Sequence, residues 1–184
     1  MRKRSGYGIF MNKLSRADRS LILRLLVEGM SLRSIERTTG KSINTVTKLL
    51  VDMGARAAEY LDVTMRDLPC TRIECDEIWA FVGAKDRTIA DNATIGKDTA
   101  GDGSIWPFTA FCPAPKLLAS FLVGQRDLEC AKVFMVDLAG RVKGRLQMTT
   151  DGLAAYPGAI EAAFGNEIDY AQLIKDYDAQ GAPT

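Results

Sequence analysis

The 184-residue chain contains no histidine. That absence removes Ser-His-Asp and Cys-His catalysis, together with the commonest transition-metal ligand. The four cysteines, Cys70, Cys75, Cys112 and Cys130, form no C-x-x-C pair. A Cys₂His₂ finger therefore lacks its histidines and a Cys₄ ribbon its spacing, and buried free thiols are expected instead. No apolar run approaches the ~18 residues needed to cross a bilayer. The opening "MRKRSGYGIFMNKLSRADRS" is basic but has no apolar signal-peptide segment, so the cytoplasm is the expected compartment. Carboxylates remain as the natural catalytic groups.

What is present is ordinary for a folded protein, with 47% hydrophobic and 26% charged residues. The net charge of +1 conceals an asymmetry. Residues 1–54 carry 11 Lys/Arg against 4 Asp/Glu, and the remainder carries 13 against 19. A basic segment ahead of an acidic body points to two domains, one of which meets a polyanion.

The basic segment shows three helical patterns. Leu21, Ile22, Leu25 and Leu26 give the first an apolar stripe over about residues 16–28, stopped by Gly29. Ser31 is an N-cap for the second, which ends at Gly40. Ser42 caps the third, with Ile43, Val46, Leu49 and Leu50 inward and Gly54 following. Two short helices around a turn glycine fit a helix-turn-helix whose last helix enters the DNA major groove. A solvated helical cap is the plainer alternative; the polar face and the charge favour DNA. Asn44, Thr45, Thr47 and Lys48 are then the outward side chains, with Ser42, Arg33 and Lys41 beside them as further DNA-binding candidates. Residues 56–69 read as a connecting helix and linker closed by Pro69.

The acidic body begins with "RIECDEIWAFVG", residues 72–83. It reads as a buried strand through Ile73, Cys75, Ile78, Trp79, Phe81 and Val82, yet it holds Glu74, Asp76 and Glu77. Alternation puts Glu74 and Asp76 on one face, with Cys75 and Glu77 on the other. A polar loop follows over 83–104, then strands at about 105–112 and 117–123 joined by "PAPK" as a hairpin. Asp127 caps a helix over 128–142, and "RLQMTTD" (145–151) is the next strand. A helix near 156–164 and a strand at 168–177 complete the order. Three antiparallel strands, then helix, strand, helix, strand, is the order of an RNase H-like fold, with Asp76 and Asp151 on adjacent strands. Each has a plainer reading, as a surface strand residue and an Asp-Gly turn. Carboxylates at neighbouring strand ends repel, and a divalent ion between them relieves that cost. Hard oxygen ligands select Mg²⁺ or Mn²⁺, the ions of phosphodiester chemistry.

"MSLRSIERTTGKSINTVTKLL", "IECDEIWAFVGAK", "LVGQRD", "LQMTTDGLAAY" and "DYAQLIKDY" together resemble the transposases of bacterial insertion sequences of the Insertion-Sequence-One type, over about residues 12–178. The resemblance implies a helix-turn-helix domain (12–55) and an RNase H-like catalytic domain (70–184); the residues themselves add a basic tail (1–11) and a linker helix (56–69). It implies Mg²⁺-dependent DNA cleavage and strand transfer, with Asp76 and Asp151 as catalytic metal ligands. The implied partners are double-stranded DNA, as terminal inverted repeats and target, and further copies of the chain. Three departures stand out. The family's Cys-rich zinc-binding segment has no counterpart in "MRKRSGYGIF". The loop 86–104 is rich in Asp, Gly and Thr where a basic tract is expected. No residue matches the third acid, a Glu on the helix after the last strand, so the catalytic domain is expected to lack its final helix, as a truncated or variant copy. The alternative function is non-enzymatic DNA binding, as a repressor of transposition or a helix-turn-helix regulator.

Overall fold

The structure, a computed structural model, describes residues 13–94 and 98–174. The chain divides into two compact units, Met1–Val63 and Thr64–Thr184. Together they hold helices and a mixed six-stranded sheet, an α+β class.

In the first unit, α1 (Arg16–Val27) starts where the Ser15 side chain accepts from the Asp18 N–H, and Asp18 adds a favourable charge to the first turn. Ser31 caps α2 (Leu32–Thr39) in the same way. Gly40 ends it at φ 67°, a left-handed conformation that costs other residues a steric penalty. The Glu36 carboxylate then accepts from the Ile43 N–H at 2.9 Å, tying α2 to the first turn of α3 (Ile43–Thr64). Ile22, Ile35, Val46 and Leu49 form the buried core, with Leu25, Leu26 and Met53 packed around it. Two expectations are corrected. Leu21 and Leu50 are exposed, because each lies about 100° around its helix from the buried neighbour beside it. Gly54 does not end the third helix, which absorbs much of the expected linker helix; a single glycine costs a helix interior only about 1 kcal/mol.

In the second unit, β3 (Gly103–Cys112) pairs antiparallel with β1 (Arg72–Glu77), with β2 (Ala80–Val82) and with β4 (Leu117–Gly124). Glu77 opposes Phe108 and Ala80 opposes Ile105, so β2 continues the register of β1 across a break at Ile78 and Trp79. On its other edge β1 pairs parallel with β5 (Leu146–Thr150), which pairs parallel with β6 (Ile168–Gln172). Between them run α5 (Leu128–Ala139), capped by Asp127, and α6 (Tyr156–Phe164). Ile73, Cys75, Phe108, Ala110, Leu146 and Met148 alternate onto one face of the sheet and are buried with Phe134, Met135, Leu138, Tyr156 and Ile160 of the helices. The opposite face carries Glu74, Asp76, Thr109, Phe111 and Phe121.

The expected buried strand over 72–83 is half right. Ile73 and Cys75 are buried, but Ile78, Trp79, Phe81 and Val82 are exposed, because the strand breaks at Ile78 and Trp79 and none of the four packs against the core. The expected loop contains α4 (Asp86–Thr94), with no buried residue. Asp86 secures it: its carboxylate accepts from the Ser104 N–H at 2.8 Å and from the Ser104 hydroxyl, which also accepts from Trp79 Nε1 at 2.9 Å. The helix expected over 128–142 stops at Ala139. The last strand is shorter than expected, and the end of its expected range, residues 175–177, lies outside the described residues. All four cysteines are free thiols; three are buried and Cys130 is half-buried. Among the described residues no helix is long and apolar enough to cross a membrane.

Candidate functional site

The parallel pairing of β1 with β5 ends at Cys75 opposite Thr150. The next residue on each strand is Asp76 and Asp151, so the two carboxylates stand at neighbouring strand ends. Both line one concavity of about 680 Å³, together with Glu74, Arg72, Arg126 and Thr149. Asp76 is exposed, and its Oδ1 accepts from the Glu77 N–H at 2.9 Å. Asp151 Oδ1 accepts from the Leu153 N–H at 3.0 Å. The turn role and the site role of Asp151 are thus not exclusive: one oxygen holds the turn and the other faces the concavity.

That other oxygen is engaged. Arg126 Nη2 donates to Asp151 Oδ2 at 3.0 Å, and Arg126 Nε donates to Glu77 Oε2 at 3.1 Å. The guanidinium carbon lies 5.1 Å from the centroid of the Trp106 ring, within cation–π range. The Glu77 side chain is 1% exposed and also accepts from the Tyr156 hydroxyl. Burial pushes the Glu77 carboxyl above the usual carboxylate range, against the hydrogen bonds from Tyr156 and Arg126 that favour its ionised form. Burial and the neighbouring Glu77 likewise raise the Tyr156 hydroxyl. From the sequence Glu77 is expected only as a structural or supporting acid, and Arg126 figures only inside "LVGQRD". The available signal was alternation: an acid on the same face as Ile73 and Cys75 must be buried, and a buried acid needs a cationic or donor partner.

Among the described residues no group of three or more Asp, Glu, His or Cys side chains is arranged to hold a metal ion. Mg²⁺ does not require a full protein cage, since one or two carboxylates suffice when water and phosphate oxygens complete the shell. Asp76 and Asp151 supply that donor chemistry, and a cation, the Arg126 guanidinium, already lies against Asp151.

In the first unit, Asn44, Thr47 and Lys48 are exposed along α3 and Arg33 is exposed on α2. Thr45 is half-buried, its hydroxyl 2.9 Å from that of Ser42 at the start of the helix. Lys41 pairs with Asp18 at 3.1 Å and Lys48 with Asp52 at 3.1 Å. A groove of about 500 Å³ is lined by Lys13, Arg19, Lys48 and Arg56 against the single acid Asp52. Lys13, Arg19 and Arg56 were not among the DNA-binding candidates; the groove gathers them from the two ends of the unit's sequence.

No protein-family model matches the chain, and no curated protein matches it.

Proposed function

We propose that the chain is a DNA-processing protein of the Insertion-Sequence-One transposase type, with a helix-turn-helix unit and an RNase H-like unit. The observation that carries this reading is that Asp76 and Asp151, each one residue past the last β1–β5 pair, line one concavity against a mixed sheet. The strand order β4-β3-β1-β5-β6, antiparallel on one side of β1 and parallel on the other, supports the RNase H-like assignment. Support for DNA binding comes from the tight α2–α3 turn and the groove with four cations against one acid.

In this reading α3 enters the major groove, Asn44 and Thr47 meet base edges, and Lys48, Lys41 and Arg33 contact phosphates. Asp76 and Asp151 would hold Mg²⁺ or Mn²⁺, and the ion would supply activation of an attacking oxygen and charge stabilisation of a leaving oxygen at a phosphodiester. The chain's own part is to orient those carboxylates from rigid strand ends and, through Glu77, to fix Arg126 beside them. Several copies act together on the DNA, in the cytoplasm.

The test is incubation of the chain with terminal-repeat DNA and Mg²⁺ or Mn²⁺. Metal-dependent nicking abolished by Asp76→Asn and by Asp151→Asn supports the enzyme. Tight, repeat-specific binding with no nicking under either metal assigns the chain to the non-enzymatic alternative, a repressor of transposition. That second reading is favoured by the Arg126 contact on Asp151 and by the fact that, among the described residues, no three carboxylates are arranged to hold a metal ion.

A further inference from the structure

The two ends of the Arg126 guanidinium meet unequal surroundings. At the inner end Nε donates to Glu77, whose side chain is 1% exposed and also receives the Tyr156 hydroxyl. At the outer end Nη2 donates to Asp151, and both of those side chains are 36% exposed. Breaking the inner contact strands a buried carboxylate, which is strongly unfavourable. Breaking the outer one returns two half-exposed groups to water, which costs little. The Trp106 ring beside the guanidinium steadies its plane. The side chain is therefore anchored at Nε and releasable at Nη2.

We propose that Arg126 is a tethered stand-in cation: it neutralises Asp151 until a divalent ion binds the Asp76–Asp151 pair, then yields Asp151 while staying anchored on Glu77. The inference rests on the reading of that pair as a divalent-cation site. Without Arg126 the Asp151 Oδ2 atom would stand at the concavity without its counter-charge. Arg126 occupies Asp151 Oδ2, and Glu77, held by Tyr156, keeps Arg126 in reach. Both are positioning residues. The same contact makes Arg126 a competitor of the ion it prepares for, and this separates the proposal from a purely structural salt bridge.

The experiment uses the full chain and needs no catalysis. Mn²⁺ affinity is read from the electron paramagnetic resonance signal of the free ion. Movement of Arg126 is read with diamagnetic Mg²⁺ from Trp106 emission in a Trp79→Phe background, since Trp79 and Trp106 are the two tryptophans of the chain. Arg126→Gln is expected to bind Mn²⁺ roughly tenfold tighter, because a cation a few ångströms from the ion is removed. Mg²⁺ should shift Trp106 emission in the parent and leave it unchanged in Arg126→Gln. The double variant Glu77→Gln/Arg126→Gln leaves no buried charge unpaired, so it guards against misfolding and should show the same tightening. Equal or weaker affinity in both variants, with binding still abolished by Asp151→Asn, overturns the proposal alone. No Asp151-dependent binding in any variant overturns the metal-site reading and the proposal with it.

Discussion

Replacing Tyr156 by Phe removes one oxygen atom from the most enclosed part of the site. The Tyr156 side chain is fully buried, and its ring stands edge-on to Phe108 with centroids 6.4 Å apart, a packing that Phe preserves. The lost interaction is the hydroxyl's hydrogen bond to Glu77 Oε1. Glu77 then keeps Arg126 as its partner but leaves one oxygen buried without a donor. A hydrogen bond to a charged group contributes about 1.5–3 kcal/mol, and an unsatisfied buried acceptor forfeits that value. The variant should therefore lose about 2 kcal/mol, or roughly 5–10 °C in melting temperature for a unit of this size. Urea unfolding followed by tryptophan fluorescence measures it, because both tryptophans belong to the second unit. Glu77→Gln alone and combined with Tyr156→Phe completes a double-mutant cycle, with an expected coupling of about 1–2 kcal/mol. A Tyr156→Phe variant within ~0.5 kcal/mol of the parent, or strictly additive losses, would refute the role of Tyr156 in holding Glu77.

Three further outcomes are expected. Asn44→Ala and Lys48→Ala should each weaken binding to terminal-repeat DNA, Asn44→Ala by about 1–3 kcal/mol, while Lys48→Ala should also lower the salt slope by about 1; unchanged titrations for both would remove α3 as the reading helix. Asp137 is pulled upward by burial, but Arg141, bonding both its oxygens at 2.6 and 2.9 Å, and the Ser120 hydroxyl outweigh burial and hold its carboxyl below the ordinary value of 3.8. A depressed carboxylate stabilises above its unfolded pKa and loses that contribution as pH falls through the folded value, so Asp137→Asn should cost about 1–3 kcal/mol at pH 7, with the gap to the parent closing below pH ~3.8 in urea titrations. Ile35→Ala removes a large side chain from a core of four buried residues and should cost about 2–5 kcal/mol, seen as early loss of helical circular dichroism and of DNA binding; DNA binding retained at parental strength would count against a role for this core in presenting α3.

The elements that the sequence marks most strongly are those with local punctuation. Ser31 and Asp127 cap helices where expected, and Gly40 ends α2 ahead of α3. The helix at 156–164 falls within the same bounds in sequence and structure, because Pro157 starts it and Gly165 stops it. The helix over 86–94 was not legible, since it buries nothing and its stability comes from contacts of Asp86 with Ser104, eighteen residues away. For the same reason Trp79 and Phe81 read as core: their apolar character is local, whereas their exposure follows from a break in the strand and from pairing with the first residues of β3, away from the core.

The sequence alone determined the division into a basic helical end and an acidic α/β body, the alternation that sends Asp76 and Glu77 to opposite faces, and the candidacy of Asp76 and Asp151. The division and the alternation follow from charge and period, which act over a few residues, and the candidacy of the two acids follows from the order of elements and the family resemblance. The tertiary structure decided that Glu77 is buried beneath the site, that Arg126 bridges it to Asp151, and that Tyr156 holds it from α6. Residues 77, 126, 151 and 156 meet only when β1, the start of α5, the end of β5 and α6 are packed together. No short-range pattern encodes such a meeting; it is selected by the burial of one face of the sheet, which forces each charge left beneath it to find a partner.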